Sequence, residues 1–246
     1  ENGKGIVTLA EILSGEFSQM ISFRKFAQKR LQDFINKNNI HAFTEVIISK
    51  NFDEGMKTFL QGHSIGPIKP NLIMFGWPGN QNRVQPFIDN IKSAYQLDKS
   101  LVIVVDRGIP PANRQKRIDI WWRGKENGSL MLILAYLLSQ NWEWVNTRIR
   151  LIRQVNNPQG ERKAYEVLTQ LASEARIKAE VKIVVSDTRF NQILHQYSKD
   201  ADVVFLGIKK PQQIEALDFY QRYNDLLEGM PTTLLVLSTG EADLLA

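Results

Sequence analysis

Two stretches in different halves of the chain decide the fold: Asn71-Leu-Ile-Met-Phe-Gly76 and, 131 residues later, Asp202-Val-Val-Phe-Leu-Gly207. Each is a short apolar run between a polar residue and a glycine, and each is followed by a proline and a helical pattern. Uninterrupted apolar runs of this length are typical of strands that are buried on both faces of a parallel sheet. We therefore interpret the two stretches as equivalent strands of an internal repeat.

A second pair of apolar runs supports the repeat. Residues 101–105 match residues 233–237 at an offset of 132. The Pro-Pro turn within residues 108–113 lies between the two copies and predicts the boundary. We expect a first α/β subdomain over residues 1–110 and a second subdomain, its pseudo-repeat, over residues 111–246.

Short β-rich runs alternate with amphipathic helical patterns along the whole chain. This alternation predicts an α/β protein built of two tandem doubly wound units, each with a parallel sheet. The first copy lacks a counterpart of the opening strand and helix of the second copy. We expect that this strand and helix are missing ahead of Gly5.

Composition excludes several classes of function. With 246 residues and 43% hydrophobic residues the chain can bury a core, and its net charge of +5 is too small for a dedicated nucleic-acid binder. It has no cysteine, which excludes disulfides and thiolate sites, and its three histidines show no paired metal-ligand spacing. The longest apolar run, residues 130–138, is much shorter than the roughly 20 residues of a membrane span.

Gly62-His-Ser-Ile-Gly66 formally matches the nucleophile elbow G-x-S-x-G. That motif requires a strand before the serine and a helix after it. Here a helical pattern precedes Ser64, and Pro67 and Pro70 follow it. The only later histidine, His195, lies in an ordinary amphipathic pattern. We interpret the motif as a helix-terminating turn and predict that the chain is not an enzyme.

Gly76-Trp-Pro-Gly79 follows a predicted buried strand, which is a position where doubly wound proteins bind phosphates. It matches the first half of the nucleotide signature of universal stress proteins, but Asp89 stands where the second half requires glycine. The equivalent strand end after Gly207 has no second glycine. We predict a turn that needs glycine for backbone reasons and no bound cofactor, with ATP as the alternative.

Residues 107–125 contain six basic side chains and two tryptophans. Arg114, Lys116 and Arg117 are candidates for contact with anionic lipid headgroups, and the alternative is a solvated loop. Trp121 and Trp122 alternate across a predicted strand. We expect one of them to face the core and the other to contribute to a partner or dimer surface.

Two motifs carry a family resemblance: residues 69–78, with Gly-Trp-Pro at their end, and Ile118-Asp-Ile-Trp-Trp122. Together they resemble the cytoplasmic C-terminal domain of cation–chloride cotransporters, whose I-D-V-W-W motif is similar to the second. Weaker matches run in the same order along the chain, at residues 5–9, 128–138, 144–150, 176–181 and 230–237.

This resemblance implies a function that the residues alone do not. The chain would be the regulatory and dimerisation domain on the cytoplasmic face of the cell membrane. A transmembrane domain ahead of Glu1 would carry chloride with potassium, sodium or both. The resemblance also implies a homodimer. The basic residues between 107 and 125 suggest contact with inner-leaflet lipid, and the small net charge predicts no nucleic-acid partner. Only a short helix lies between Val185 and Asp200, which suggests a prokaryotic-like or minimal member. The alternative is a stand-alone tandem universal-stress-type protein that senses nucleotide.

Overall fold

The computed structural model describes residues 5–109, 114–210 and 215–240. The chain forms two compact units, Glu1–Pro70 and Asn71–Ala246. The strands are β1 (Thr8–Ser14), β2 (Phe43–Ser49), β3 (Leu72–Gly76), β4 (Ser100–Val105), β5 (Arg117–Trp121), β6 (Arg148–Val155), β7 (Ala179–Val185), β8 (Val203–Gly207) and β9 (Thr233–Leu237). The helices are α1 (Phe17–Lys37), α2 (Phe52–Gly62), α3 (Val84–Gln96), α4 (Lys125–Ser139), α5 (Gln159–Glu174), α6 (Phe190–Ser198) and α7 (Ala216–Leu227).

The first unit is a small β-α-β-α layer. Strands β1 and β2 pair in parallel from Thr8 opposite Phe43 to Ser14 opposite Ser49. Helix α1 buries Ala27 and Ile35, two positions that are eight residues apart and lie on one helical face. Helix α2 begins at an effective cap, because the side chain of Asn51 accepts a hydrogen bond from the backbone N–H of Glu54.

The second unit contains a seven-stranded sheet in the order β3-β4-β9-β8-β5-β6-β7. All neighbouring strands are parallel except β4 and β9, which are antiparallel. The α/β class with parallel-dominated sheets is therefore confirmed. The antiparallel pair joins strands of both copies in a single sheet, which the sequence did not predict.

The register of β4 and β9 reveals a local two-fold relation between the copies. Ile103 pairs with Leu235, and these two residues are also equivalent by the sequence offset of 132. On one side of this pair Leu101 pairs with Leu237, and on the other side Val105 pairs with Thr233. An approximate two-fold axis therefore passes through the Ile103–Leu235 pair.

The structural division of the chain differs from the boundary expected from the sequence. Strands β3 and β4 were assigned to the first copy, but their ladder with β9 places them in the same compact unit as the second copy. The structural division falls after Pro70. The subdomain boundary between residues 110 and 111 stays a prediction about the repeat.

Strand β5 lies between β6 and β8 and is covered on both faces. Trp121 makes an edge-on contact with Phe190 of α6, with ring centroids 5.2 Å apart. On the other face, Trp122 packs so closely on Gly128 of α4 that an added Cβ there would lie 2.5 Å from the indole ring. Both tryptophans are therefore core residues.

A polar network is buried around β5. The guanidinium of Arg150 donates to both carboxylate oxygens of Asp119, at 2.7 and 2.6 Å, and to the carbonyl of Tyr197 at 2.8 Å. Ser198 donates to Asp119 at 2.7 Å and accepts from the indole N–H of Trp121 at 3.0 Å. Burial alone would lower the pKa of Arg150, but the hydrogen bonds and charge of Asp119 outweigh it and raise that pKa. The network joins β5, β6 and α6.

We expect Arg150→Met to lower the free energy of unfolding by about 3–5 kcal/mol, because it leaves the carboxylate of Asp119 buried without its main partner. Urea unfolding followed by circular dichroism measures the loss. The control is Arg162→Met, which removes an exposed ion pair with Glu166 and should cost at most about 0.5 kcal/mol. Equal losses in the two variants would contradict the role of the network.

We expect Gly128→Ala to lower the free energy of unfolding by about 1–2 kcal/mol, although alanine favours helix, because its Cβ would collide with the buried Trp122. Thermal unfolding measures the change. Gly79→Ala is the matched control, since a Cβ at Gly79 meets no atom within 4 Å. Stability of the Gly128 variant equal to that of the control would show that this packing is wrong.

Candidate functional site

The loop after β3 does not need glycine. Neither Gly76 nor Gly79 has a positive φ, and a Cβ at either position would meet no atom within 4 Å. The sequence-based prediction of a turn that requires glycine for backbone reasons is therefore wrong. The loop is instead held at Trp77, whose backbone N–H donates to the carbonyl of Val104 at 2.9 Å.

The side chain of Trp77 links the two copies within the second unit. Its ring stacks on Tyr220 of α7, with centroids 5.5 Å apart and an interplanar angle of 10°. It also contacts Phe219 of α7 and Phe87 of α3, at 6.0 and 6.2 Å. Since α3 and α7 belong to different copies, the Gly-Trp-Pro motif acts in packing across the repeat.

The equivalent strand end of the second copy is filled by Asn127. Its amide donates to the carbonyl of Ile208 and accepts from the backbone N–H of Ser238, both at 2.8 Å. A Cβ on Gly207 would lie 2.9 Å from the same amide nitrogen. Helix α4 begins at Lys125, so Asn127 lies in its first turn.

The contacts of Asn127 are relevant to the alternative prediction that the chain binds ATP. Doubly wound sheets bind ligands outside the carboxyl ends of the strands where strand order reverses, here between β5 and β8. Asn127 occupies that crevice and ties the ends of β8 and β9 together. ATP binding stays a prediction.

In the part of the chain that the structure describes, His63 and His195 contact residues outside the G-x-S-x-G motif. His63 Nε2 lies 2.9 Å from the hydroxyl of Thr8, and its ring stacks on Phe59 at 4.6 Å. His195 Nε2 lies 3.3 Å from the carbonyl of Leu226. Among the described residues, no group of three or more His, Asp or Glu side chains could hold a metal ion.

The structure does not bring Trp121 and Trp122 to a surface. Their exposed fractions are 1% and 5%. The expectation that one of them faces a partner is corrected, because α6 covers one face of β5 and α4 covers the other. Alternation along a strand separates the two side chains but does not expose either of them.

The three basic residues proposed for lipid contact already have partners in the chain. Arg114 forms a bidentate pair with Asp202, at 3.0 and 3.2 Å. The ammonium of Lys116 lies 4.4 Å from the ring centre of Trp144. Arg117 is half-buried, and burial lowers its pKa. Lipid contact through these residues stays a prediction, and it would have to compete with these contacts.

A surface that the sequence reading missed lies where α4 ends. Trp142 is 79% exposed, and Tyr136, Leu137 and Val145 beside it in the chain are also exposed. We call these four residues the α4-end patch. An indole this exposed, with other exposed apolar residues within a few positions in the sequence, is typical of an interaction surface. The sequence signal for this surface is the pair of tryptophans in Trp142-Glu-Trp144. In the structure Trp142 is exposed, whereas Trp144 is buried.

No helix among the described residues is both long enough and apolar enough to span a membrane.

Comparison with solved structures shows the fold. The chain is similar to the cytoplasmic domain of a prokaryotic cation chloride cotransporter, with 18% identity, a TM-score of 0.67 and coverage of 99% of this chain and 89% of the other. It is also similar to a universal stress protein from Archaeoglobus fulgidus DSM 4304, with 12% identity, a TM-score of 0.61 and coverage of 97% and 88%. A putative universal stress protein from Pseudomonas aeruginosa UCBPP-PA14 matches with 11% identity, a TM-score of 0.53 and coverage of 94% and 82%.

Family models divide the chain near the boundary of the repeat. The model for solute carrier family 12 matches residues 2–109. The model for the second part of the C-terminal domain of prokaryotic cation-chloride cotransporters matches residues 109–244, more than half of the chain. The resemblance seen in the Gly-Trp-Pro and I-D-x-W-W motifs is thus confirmed, and the chain belongs to the C-terminal domain family of prokaryotic cation-chloride cotransporters.

Proposed function

We propose that this chain is the cytoplasmic regulatory and dimerisation domain of an electroneutral cation–chloride cotransporter. A transmembrane domain of the same protein would move chloride together with potassium, sodium or both. The observation that carries this proposal is the pair of family matches, which follow each other from residue 2 to residue 244. No catalytic step is assigned to the domain.

The architecture suits a domain that acts by moving as a rigid body rather than by catalysing a reaction. The β4–β9 ladder and the stacking of Trp77 on Tyr220 join both copies in one sheet, so that the second unit can move as a rigid body. The strand end at Gly207, where related folds bind ligands, is closed by Asn127. In this proposal the domain acts through its surfaces.

The α4-end patch is the surface that we assign to the homodimer. It combines an exposed indole with neighbouring aliphatic and aromatic side chains, which is the composition of an interface centre. A symmetric dimer would bring the patch against its own copy, as two-fold interfaces require. Contact of Arg114, Lys116 and Arg117 with inner-leaflet lipid is part of the same proposal, and lipid would have to compete with the partners of these residues in the chain.

We expect Trp142→Glu to weaken dimerisation at least tenfold, or about 1.4 kcal/mol, because it puts a charge at the centre of an apolar contact. Sedimentation velocity over a concentration series measures the dissociation constant. Leu217→Glu is the control, since it adds the same charge at an exposed leucine on α7. A dimer unaffected by Trp142→Glu would exclude the patch, and a wild-type chain that stays monomeric would exclude the homodimer.

We expect the native gene product to be much heavier than 28.2 kDa and to remain in the membrane pellet after a high-salt wash. A transmembrane domain in the same polypeptide would hold it there, whereas electrostatic attachment is released by salt. Fractionation with immunoblotting makes the measurement. A native product of this size that appears in the supernatant would contradict the proposal.

A further inference from the structure

Helix α1 carries most of the positive charge of the first unit. Its 21 residues include five basic side chains and one acidic side chain. The other described residues of this unit contain more acidic than basic side chains. Arg24 and Arg30 pair with acidic side chains of β2 and β1. Lys25, Lys29 and Lys37 are exposed and form no ion pair with a described residue.

Three phenylalanines are exposed on the same helix. Phe23, Phe26 and Phe34 have exposed fractions of 57%, 73% and 51%. Phe26 lies on the side opposite the buried Ile35, because the step between them is about two and a half helical turns. Lys29 follows Phe26 at a spacing of three residues and neighbours it on the helix surface. We call Lys25, Phe26 and Lys29 the α1 outer face.

Packing within the fold does not explain an aromatic residue on this face. Helices α1 and α5 are each followed by a non-glycine residue in the left-handed region, Asn39 with φ 51° and Arg176 with φ 55°. These helix ends align the two helices, so that Phe26 corresponds to Lys163. Lys163 is exposed on α5, although strands and helices surround α5 in the second unit. The corresponding face of α1 therefore points to solvent or to a partner.

We propose that the α1 outer face binds the surface of an anionic lipid bilayer. The helix lies parallel to the surface, with Phe26 at the boundary between headgroups and acyl chains and with Lys25 and Lys29 against the anionic headgroups. These residues are distinct from the basic residues of the second unit that were assigned to lipid above. The inference rests on the proposed function for the presence of a bilayer beside the domain, but vesicle binding needs no transmembrane domain.

The residue types favour a bilayer over an acidic protein. Protein interfaces are enriched in tyrosine, tryptophan and arginine and depleted in lysine. Helices that lie on membranes combine lysine with phenylalanine, and the long stem of lysine lets its charge reach the headgroups while the stem stays among apolar groups. Both arginines of α1 are held by the strands, since Arg24 also donates to the carbonyl of Val46 and Arg30 pairs with Glu11.

Asp33 is the one acidic residue of α1, and it lies beside the lysines. It lines an open depression on the helix surface together with Arg24, Lys25, Gln28, Lys29 and Gln32. An anionic headgroup at this depression would be attracted by the lysines and repelled by the carboxylate of Asp33. Removal of the carboxylate should therefore strengthen binding to anionic lipid, the opposite of the effect of removing the lysines.

Vesicle binding tests the proposal with the 246-residue chain itself. The chain is mixed with vesicles of phosphatidylcholine alone, or of phosphatidylcholine with about one third phosphatidylserine, and bound protein is measured by flotation. We expect binding only to the vesicles that contain phosphatidylserine. We also expect this binding to weaken as the salt concentration rises, because salt screens exposed charges.

Three variants separate the charged part of the contact from the apolar part. Lys25→Gln combined with Lys29→Gln should weaken binding roughly tenfold at low salt, because each cation is attracted by the anionic surface. Phe26→Gln should weaken it roughly threefold to tenfold, and this loss should persist as salt rises, because apolar burial is not screened. Asp33→Asn should tighten binding roughly threefold.

The matched control removes the same charge from the second unit. Lys163 and Lys178 are exposed, and Lys163 occupies the equivalent face of α5. Lys163→Gln combined with Lys178→Gln should leave vesicle binding unchanged. A control with the same loss as the α1 variant would mean that net charge, rather than the α1 outer face, determines binding.

A single fluorescent label tests whether Phe26 enters the bilayer. The chain has no cysteine, so Phe26→Cys accepts an environment-sensitive dye at that position alone. We expect its emission to shift to shorter wavelength when vesicles with phosphatidylserine are added. Lys163→Cys with the same dye is the control and should show no shift.

Four results would overturn the proposal: no binding to vesicles with phosphatidylserine, equal losses in the α1 and α5 lysine variants, no effect of Phe26→Gln, or an unshifted dye at position 26. Polyglutamate is the probe for an acidic protein partner, and binding to polyglutamate in place of vesicles would also overturn it. If the native product stays in the membrane pellet while the chain does not bind vesicles, the proposed function stands and this inference fails.

Discussion

The antiparallel ladder between β4 and β9 is the constraint on which the second unit depends. Four of its buried side chains, Val102, Ile103, Leu235 and Val236, are almost fully inaccessible, so each strand is held by packing as well as by backbone hydrogen bonds. Because β4 and β9 close equivalent copies, their pairing turns two half-sheets into one. The stacked rings of Trp77 and Tyr220 also join the two copies, through side chains rather than backbone hydrogen bonds.

Strand β5 has a comparable role inside the second copy. It separates β6 from β8, and its buried Asp119 binds Arg150 and Ser198 from neighbouring elements. A carboxylate buried in this way favours one arrangement of partners, since any other leaves a charge without compensation. The first copy has no strand with this function among the described residues, where β1 pairs with β2 alone.

A domain of this kind would act through its surfaces. The crevice where doubly wound proteins bind ligands is closed by Asn127, and the conspicuous tryptophans of β5 stabilise the core. The exposed α4-end patch and the free edge of β1 are separate features on different units. In the proposed cotransporter, the α4-end patch would bring two copies together.

The sequence by itself determined the α/β class, the repeat and the family, because apolar runs such as 101–105 and motifs such as Ile118–Trp122 are local patterns. Only the tertiary structure decided the direction of the β4–β9 pair, the burial of both Trp121 and Trp122, and the contact of Asn127 with Ile208. These features join residues that are dozens to more than a hundred positions apart. Local periodicity shows which face of an element is apolar, but only the assembled neighbours decide whether that face is covered.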